Sequence, residues 1–175
     1  ISNHRSVDGI LDYVYRPGAL VGAADKARTY ADTLRMNLDA VAAQAARLPV
    51  RPNVYFEAWD EPMISGIQWV AELIRIAGGD DIFPELAAES LAKHRIMADG
   101  AQVIARNPDI IFGSWGGKKF RPEKVAARPG WQAIPAVRNQ RLFEIKSPII
   151  LQPGPAALTD GLNEMARHIQ AFAAA

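Results

Sequence analysis

Apolar positions along this chain change their spacing near residue 50. Between Ala23 and Arg47 they recur every three or four residues, with no glycine or proline, as on one face of a helix. We predict a single helix there, roughly 35 Å long. Its apolar stripe consists of Tyr30, Leu34, Leu38, Val41 and Ala45. A shorter helix is predicted from Ser6, which can cap its N-terminus, to about Arg16, where Pro17-Gly18 would end it.

After Pro52 short apolar runs alternate with helical patterns. The predicted strands are 53–58, 109–113 and 141–145. The predicted helices are 63–77, 86–93, 98–106, 122–127 and about 154–172. Pro62 would stand near the start of helix 63–77, Gly78-Gly79 would end that helix in a left-handed cap, and 138–141 resembles a hairpin turn. Strands separated by helices predict an α/β fold, with a parallel sheet between two helical layers in a Rossmann-like arrangement.

Each predicted strand is followed by polar and aromatic residues. Because ligands of open α/β sheets lie at the carboxyl ends of strands, we expect the segments 57–61, 114–121 and 146–152 to line one edge. A tryptophan there suits a flat or bulky ligand, although either tryptophan could simply cover the sheet edge. The predicted ligand-binding residues are Glu57, Trp59, Asp60, Ser114, Trp115, Lys118, Phe120, Arg121 and Ser147.

The glycine-rich segment Gly113–Lys119 is not a phosphate-binding loop. It lacks the spacing GxxxxGK[ST], and Lys118 is not followed by serine or threonine. Its glycines would instead permit tight turns beside a ligand. A basic run follows, formed by Lys118, Lys119, Arg121, Lys124 and Arg128. This run either forms a solvated face or attracts an anionic group of a ligand.

Composition excludes several classes of function. The 175 residues are 49% hydrophobic, enough for one sizeable core, and the net charge of +1 gives no electrostatic basis for nucleic-acid binding. The chain has no apolar run of membrane-spanning length and no cysteine, which removes disulfides and thiol catalysis. The histidines, His4, His94 and His168, lie far apart, so no metal site is predicted. A GxSxG motif is also absent, and we expect no catalytic residue.

The first residues suggest an internal start. Ile1–Arg5 resembles the end of a strand. A strand is not stable alone, so we expect that further chain precedes it, and the missing signal peptide then says nothing about compartment.

Four segments carry a resemblance to a known family. They are GGDDIFPE (78–85), IARNPDIIFGSW (104–115), WQAIPAVRNQRLFEI (131–145) and SPIILQPGPAALTDGL (147–162). Together they resemble the C-terminal lobe of ABC-importer solute-binding proteins of the helical-backbone class, which carry cobalamin, ferric siderophores, haem and some metal ions. The resemblance implies a remnant of the N-lobe at 1–22, an interlobe linker helix at 23–48 and the C-terminal lobe at 49–175.

The resemblance also implies a function. It predicts a non-enzymatic receptor without an intrinsic cofactor, which holds a bulky ligand between two lobes and delivers it to an ABC permease. Cobalamin is the expected ligand, and the alternatives are a ferric siderophore (suited to Lys118, Lys119 and Arg121), haem, a metal ion or, in another class, an α/β enzyme. The location would be periplasmic, or extracellular and lipid-anchored. In the family an acidic residue near the first helix of this lobe docks to the permease. Here Ile67 stands at that position, so Asp60 or Glu61 is expected to dock instead.

Overall fold

In the computed structural model the fold is described for residues 5–175. The strand end predicted at Ile1–Arg5 falls on residues 1–4, which lie outside the described range, and on Arg5, which belongs to neither helix nor strand. The helices are α1 Val7–Leu20, α2 Ala24–Ala45, α3 Gln68–Ala77, α4 Pro84–Ala87, α5 Ala101–Arg106, α6 Pro122–Ala126, α7 Pro135–Arg138, α8 Ser147–Ile150 and α9 Leu162–Ala173. The strands are β1 Asn53–Asp60, β2 Met63–Ser65, β3 Asp80–Asp81, β4 Ile110–Gly113 and β5 Leu142–Glu144.

Within residues 5–175 one five-stranded sheet forms, with β1 at its centre. β4 pairs with β1 and with β5, and β3 pairs with the start of β1, all in parallel. β2 is antiparallel to the end of β1. The predicted α/β fold with a parallel, helix-covered sheet is therefore confirmed, and a single antiparallel strand is added to it.

The hairpin of β1 and β2 corrects two predictions. β1 continues to Asp60, so Glu57, Trp59 and Asp60 belong to a strand and not to a loop. Pro62 lies in the hairpin turn and the helix begins only at Gln68, because residues 63–65 pair with the end of β1 instead of joining the helix. The predicted left-handed ending of α3 at Gly78 is confirmed by its φ of 100° and by the hydrogen bond from the Gly79 amide to the Ile74 carbonyl.

The prediction that Pro17-Gly18 ends the first helix is wrong. α1 runs through both residues to Leu20, and the Val21 amide donates to the Pro17 carbonyl. Gly18 lies against α2, where a Cβ would collide with Ala27, so this glycine allows the two helices to approach closely. The Ser6 cap is confirmed, since its hydroxyl accepts from the Gly9 amide at 3.0 Å.

Three further predictions need correction. Residues 138–141 do not form a hairpin, because β4 and β5 are parallel and are joined through α6 and α7. The predicted helix 86–93 is replaced by α4 and a short 3₁₀ turn at Ala92–His94. The last helix is preceded by a π-helical turn at Ala157–Gly161. A side chain at Gly161 would collide with the Ile149 carbonyl, so the close approach of α8 requires glycine there.

The core lies on both faces of the sheet. Val54 and Phe56 of β1 face a cluster that also holds residues of α1, α2, α3 and α9, whereas Tyr55 faces a cluster formed with residues around α4–α7. The long helix α2 is confirmed, and Leu34, Leu38 and Val41 bury its stripe against the first cluster, while Tyr30 is exposed. The domain limits at residues 22 and 48 stay predictions.

The carboxyl group of Asp81 in β3 makes stability depend on pH. Burial raises its pKa to about 6, with a further increase from Glu85 and opposing effects from the Phe83 amide and Arg106. Because the folded pKa of Asp81 lies above the unfolded one, the contribution of this residue to stability should fall as pH rises from about 4 to about 6. We expect Asp81→Asn to raise the free energy of unfolding by about 2–3 kcal/mol at pH 7.5 and to leave it unchanged below pH 4. Urea unfolding at both pH values measures this, with the exposed Asp80→Asn as control; equal effects at both pH values would contradict it.

Candidate functional site

The strand register brings the predicted polar segments to one edge of the sheet. Glu57 of β1 pairs with Gly113 of β4, and Gly113 pairs with Glu144 of β5. β4 and β5 therefore end beside Glu57, whereas β1 continues to Asp60, and the last residues of β1 meet the segments that follow β4 and β5. The Ser114 hydroxyl lies 3.3 Å from that of Ser147, which joins two of these segments directly.

A β-bulge determines which way the end of β1 presents its side chains. The register with β2 shifts between Glu57 and Trp59, so Ala58 is an extra residue in β1. In a regular strand, side chains three residues apart point to opposite faces. The bulge changes this alternation, and the carboxylates of Glu57 and Asp60 reach the same neighbouring segments.

The Glu57 carboxylate is fully buried, with 0% exposure, and accepts four hydrogen bonds. Arg128 binds it in a bidentate manner at 2.6 and 3.0 Å, Trp115 Nε1 donates at 2.9 Å, and the Tyr55 hydroxyl donates at 3.1 Å. Burial opposes the charge on Arg128, but its bonds to Glu57 outweigh this and raise its pKa. Burial, followed by the Glu57 charge, raises the pKa of Tyr55 well above its usual value. This cluster is a satisfied buried ion pair.

The Asp60 carboxylate forms a second cluster beside the first. Lys118 donates to Oδ1 at 3.1 Å and Lys124 donates to Oδ2 at 2.9 Å. Burial of Asp60 favours its neutral form, but the two lysine hydrogen bonds outweigh that effect and lower its pKa. The Lys118 ammonium also lies 4.1 Å from the centre of the Trp59 ring. Asp60 thus neutralises cations that border the sheet edge.

Most of the predicted basic run is paired within the protein. Lys118 and Lys124 bind Asp60, Arg128 binds Glu57, and Arg121 binds Glu123. In the described part of the chain, Lys119 is the one member of the run that has no ion pair. An anionic ligand would therefore meet less free charge here than the sequence suggests.

The structure brings the predicted ligand-binding residues together but buries several of them. Glu57, Ser114, Trp115 and Phe120 are all at most 2% exposed, and Asp60 is also buried. Ligand contact by these side chains stays a prediction, and their observed contacts are with the protein. The members that keep accessible surface at the edge are Trp59, Lys118, Arg121 and Ser147.

A largely apolar groove of about 360 Å³ lies next to Trp59. The end of β1, the hairpin, the start of α3 and the segment after β5 contribute its walls. Its lining residues are Ala58, Trp59, Pro62, Ile64, Ile67, Trp69, Ala92, Arg95 and Leu151. A groove of this kind suits the apolar body of a bulky ligand.

Arg95 is the charged residue of this groove, and the sequence did not single it out. It is 6% exposed, and its Nη1 donates to the backbone carbonyls of Glu89 and Ser90. Within residues 5–175 its Nε has no hydrogen-bond partner and no carboxylate lies within ion-pair distance. Burial and the neighbouring Arg5 lower its pKa. A buried guanidinium without a counter-charge favours the approach of an anionic group. Neither spacing nor motif marks it, because its place beside β2 depends on a contact distant in sequence, in which the Ser65 amide donates to the Arg95 carbonyl.

A second groove, of about 700 Å³, continues along the edge beneath β4 and β5. Lys118, Lys119, Lys146 and Ser147 border it together with Glu144, whose carboxylate pairs with Lys146 at 2.9 Å. Leu151 lines both grooves, so they are adjacent. The edge of the sheet thus combines an apolar, aromatic groove with a polar one, in which Lys118 and Lys146 are paired with carboxylates and Lys119 has no ion pair among the described residues.

Neither a metal site nor a membrane-spanning helix is found in the described part of the chain. Residues 5–175 contain no group of three or more histidine, aspartate or glutamate side chains placed to hold a metal ion. Among these same residues, no helix has the length and apolar character needed to cross a membrane.

Comparison with known proteins then establishes the family. A family model described as periplasmic binding protein matches residues 1–149. The chain belongs to this family of periplasmic binding proteins. The suspected relationship to the binding proteins of ABC importers is thereby confirmed.

The similar proteins are described as binding proteins. This periplasmic binding protein is 24% identical over 119 residues to a vitamin B12-binding protein of Vibrio parahaemolyticus, covering 66% of this chain and 40% of that one. It is 34% identical over 73 residues to YvrC, an uncharacterized ABC transporter substrate-binding lipoprotein of Bacillus subtilis, covering 42% and 22%. A crystal structure of a possible iron-binding, periplasmic solute-binding protein from Staphylococcus epidermidis shares its fold, with a TM-score of 0.79 and 21% identity, over 95% of this chain and 64% of that one. The chain therefore spans less than two thirds of the length of each.

Proposed function

We propose that this periplasmic binding protein is a non-enzymatic receptor of an ABC importer that captures a bulky ligand at the carboxyl edge of its sheet. The observation that carries the proposal is the pair of adjacent grooves that meet at Leu151. One offers aromatic and apolar surface beside Trp59, and the other is bordered by lysines. A large chelate with an apolar body and polar periphery matches both.

Cobalamin is the first candidate ligand. The relative from Vibrio parahaemolyticus is named as a vitamin B12-binding protein. The exposed part of Trp59 and the apolar walls formed by Ile64, Ile67 and Leu151 suit the flat, bulky body of a corrinoid. Grooves of about 360 and 700 Å³ on one lobe would cover part of such a ligand, and a facing lobe would cover the rest.

An anionic chelate, haem or a ferric siderophore, is the second candidate. Arg95 favours it, because a carboxylate in the apolar groove would supply the counter-charge that the guanidinium lacks within the described residues. Lys119, which has no ion pair in the described chain, adds charge along the neighbouring groove. A metal ion remains a third alternative, without a specific observation in its favour.

The full gene product, titrated with cyanocobalamin, hemin and ferric siderophores, tests the function. Quenching of tryptophan fluorescence reports binding, because Trp59 and Trp69 line the apolar groove. Submicromolar binding of cyanocobalamin alone would support the first candidate, and binding of hemin or a ferric siderophore alone would support the second. A protein that binds none of these ligands would contradict the proposed function.

We also place the protein outside the cytoplasm, either in the periplasm or on a lipid anchor, with an ABC permease as its partner. The Bacillus subtilis relative, described as a substrate-binding lipoprotein of an ABC transporter, supports this placement. Of the two acidic residues predicted to dock, Asp60 is enclosed by its lysines, whereas the Glu61 side chain is 83% exposed. The geometry therefore favours Glu61 as the docking residue.

Loss of the Glu61 charge should weaken transport without weakening ligand capture. We expect Glu61→Gln to lower ligand uptake by vesicles containing the permease several-fold, since the carboxylate would no longer pair with a basic surface. Its ligand affinity should stay within twofold of the unchanged protein. Glu123→Gln, also exposed, is the control. Normal uptake by Glu61→Gln would assign docking to another residue.

A further inference from the structure

Two carboxylates three residues apart on β1 hold the same two segments of the chain. Glu57 binds Trp115 from the loop 114–121 and Arg128 from the turn after α6. Asp60 binds Lys118 from that same loop and Lys124 from α6 itself. Each carboxylate therefore ties the loop and the region of α6 to the end of β1.

We propose that Glu57 and Asp60 are positioning residues that hold loop 114–121 in place as a wall of the ligand groove, and that Asp60 sets the charge selectivity of the groove by withholding Lys118 and Lys124 from anionic ligands. The part that concerns selectivity rests on the proposed function. The part that concerns the loop does not.

The cations in this arrangement also lie over aromatic rings, which fixes their positions further. The Lys118 ammonium lies 4.1 Å from the centre of the Trp59 ring, and the Lys124 ammonium lies 5.8 Å from that of Trp115. The Arg128 guanidinium lies 4.6 Å from the Trp131 ring. Cations and rings thus alternate from the partly exposed Trp59 to the buried Trp131, and the two carboxylates join them. A polar network whose members are all satisfied rigidifies the segments it joins, which suits a preformed binding surface.

The two carboxylates differ in what they determine. Glu57 is inaccessible, so its ion pair contributes shape but no charge to the groove. Asp60 neutralises two lysines whose side chains are 50% and 48% exposed. Without the Asp60 charge, Lys118, which lines the larger groove, would lose its counter-charge, whereas Lys124 would keep only the exposed Glu61 at 3.7 Å, and both ammonium groups would attract an anion more strongly. Asp60 therefore influences which ligand charge the groove prefers. It does so through the two lysines and without contacting the ligand.

Asp60→Asn tests both parts, with Glu123→Gln as a matched control that removes an exposed carboxylate from the same region. Acylation of lysines, followed by mass spectrometry, measures how free Lys118 and Lys124 are. Hydrogen exchange of the amides in 114–121 measures how firmly the loop is held. Affinities for hemin, which is anionic, and for cyanocobalamin, which carries no net charge, measure selectivity. Asp60→Glu, which keeps the charge, is the conservative variant.

We expect Asp60→Asn to accelerate acylation of both lysines and exchange in the loop, while Asp60→Glu and Glu123→Gln change neither by more than twofold. The ratio of hemin to cyanocobalamin affinity should rise by roughly threefold to tenfold, as for an added surface charge at low salt. Unchanged acylation in Asp60→Asn, or an equal change in both affinities, would overturn the proposal. If neither probe binds any variant, the proposed function fails, and acylation and exchange still decide whether Asp60 holds the loop.

Discussion

Replacement of Arg128 by methionine is expected to lower the free energy of unfolding by about 3–5 kcal/mol, the usual effect of removing one partner from a buried ion pair. The variant leaves the Glu57 carboxylate fully buried with hydrogen bonds from Trp115 and Tyr55 only. Neither donor carries a positive charge, so the desolvated carboxylate loses its compensation. Methionine keeps the apolar stem against Trp131, so the lost stability measures the effect of the missing charge and not of missing packing.

Chemical unfolding of the variant and two companions separates these contributions. Arg121→Met removes an exposed partner of Glu123 and should change stability by less than about 0.5 kcal/mol. The double variant Glu57→Gln/Arg128→Met should regain at least half of the loss, because an amide needs no counter-charge and its oxygen still accepts from Trp115 Nε1. A loss below about 1 kcal/mol for Arg128→Met would show that water reaches Glu57.

Replacement of Arg95 by methionine is expected to separate binding from stability. If the ligand is an anionic chelate, its affinity should fall roughly thirtyfold or more, the typical effect of removing one partner of a buried charge pair. Stability should fall far less than affinity, because loss of the hydrogen bonds from Nη1 to the Glu89 and Ser90 carbonyls is offset by removal of a buried guanidinium whose Nε is unsatisfied within the described residues. A loss of affinity without a matching loss of stability is typical of a site residue.

Titration with hemin and thermal unfolding measure the two effects of Arg95→Met. The exposed neighbour Lys93 supplies the control, because Lys93→Met removes the same charge two residues away and should change affinity by less than threefold. A neutral corrinoid ligand should lose little affinity in either variant. Equal loss in both variants would indicate long-range attraction instead of a contact with Arg95, and a strong loss of stability in Arg95→Met would make it a structural residue.

The spacing of apolar residues was sufficient to predict most of the helices, the parallel strands and the edge at which polar segments meet. Period-two and period-3.6 patterns result from burial of one face of a strand or helix. Such patterns can be recognised from the spacing of apolar residues alone. The left-handed end of α3 was equally predictable, since Gly78 adopts a positive φ that other residues avoid. The continuation of α1 through Pro17 was not, because a Pro-Gly pair is locally typical of a helix end and the close approach of Gly18 to Ala27 of another helix has no local sequence pattern.

The same distinction between local pattern and tertiary contact applies to the candidate site. Sequence by itself determined which residues gather at this edge, among them Trp59 at the end of β1 and Lys118 and Ser147 after β4 and β5, because chain order and parallel pairing place them there. Only the tertiary structure decided which of their charges are available. The bulge at Ala58 directs Asp60 toward Lys118, and contacts between distant segments bury Glu57 and leave Arg95 unpaired among the described residues. Charge pairing depends on distances of a few ångströms between segments far apart in the chain, and no local pattern encodes such distances.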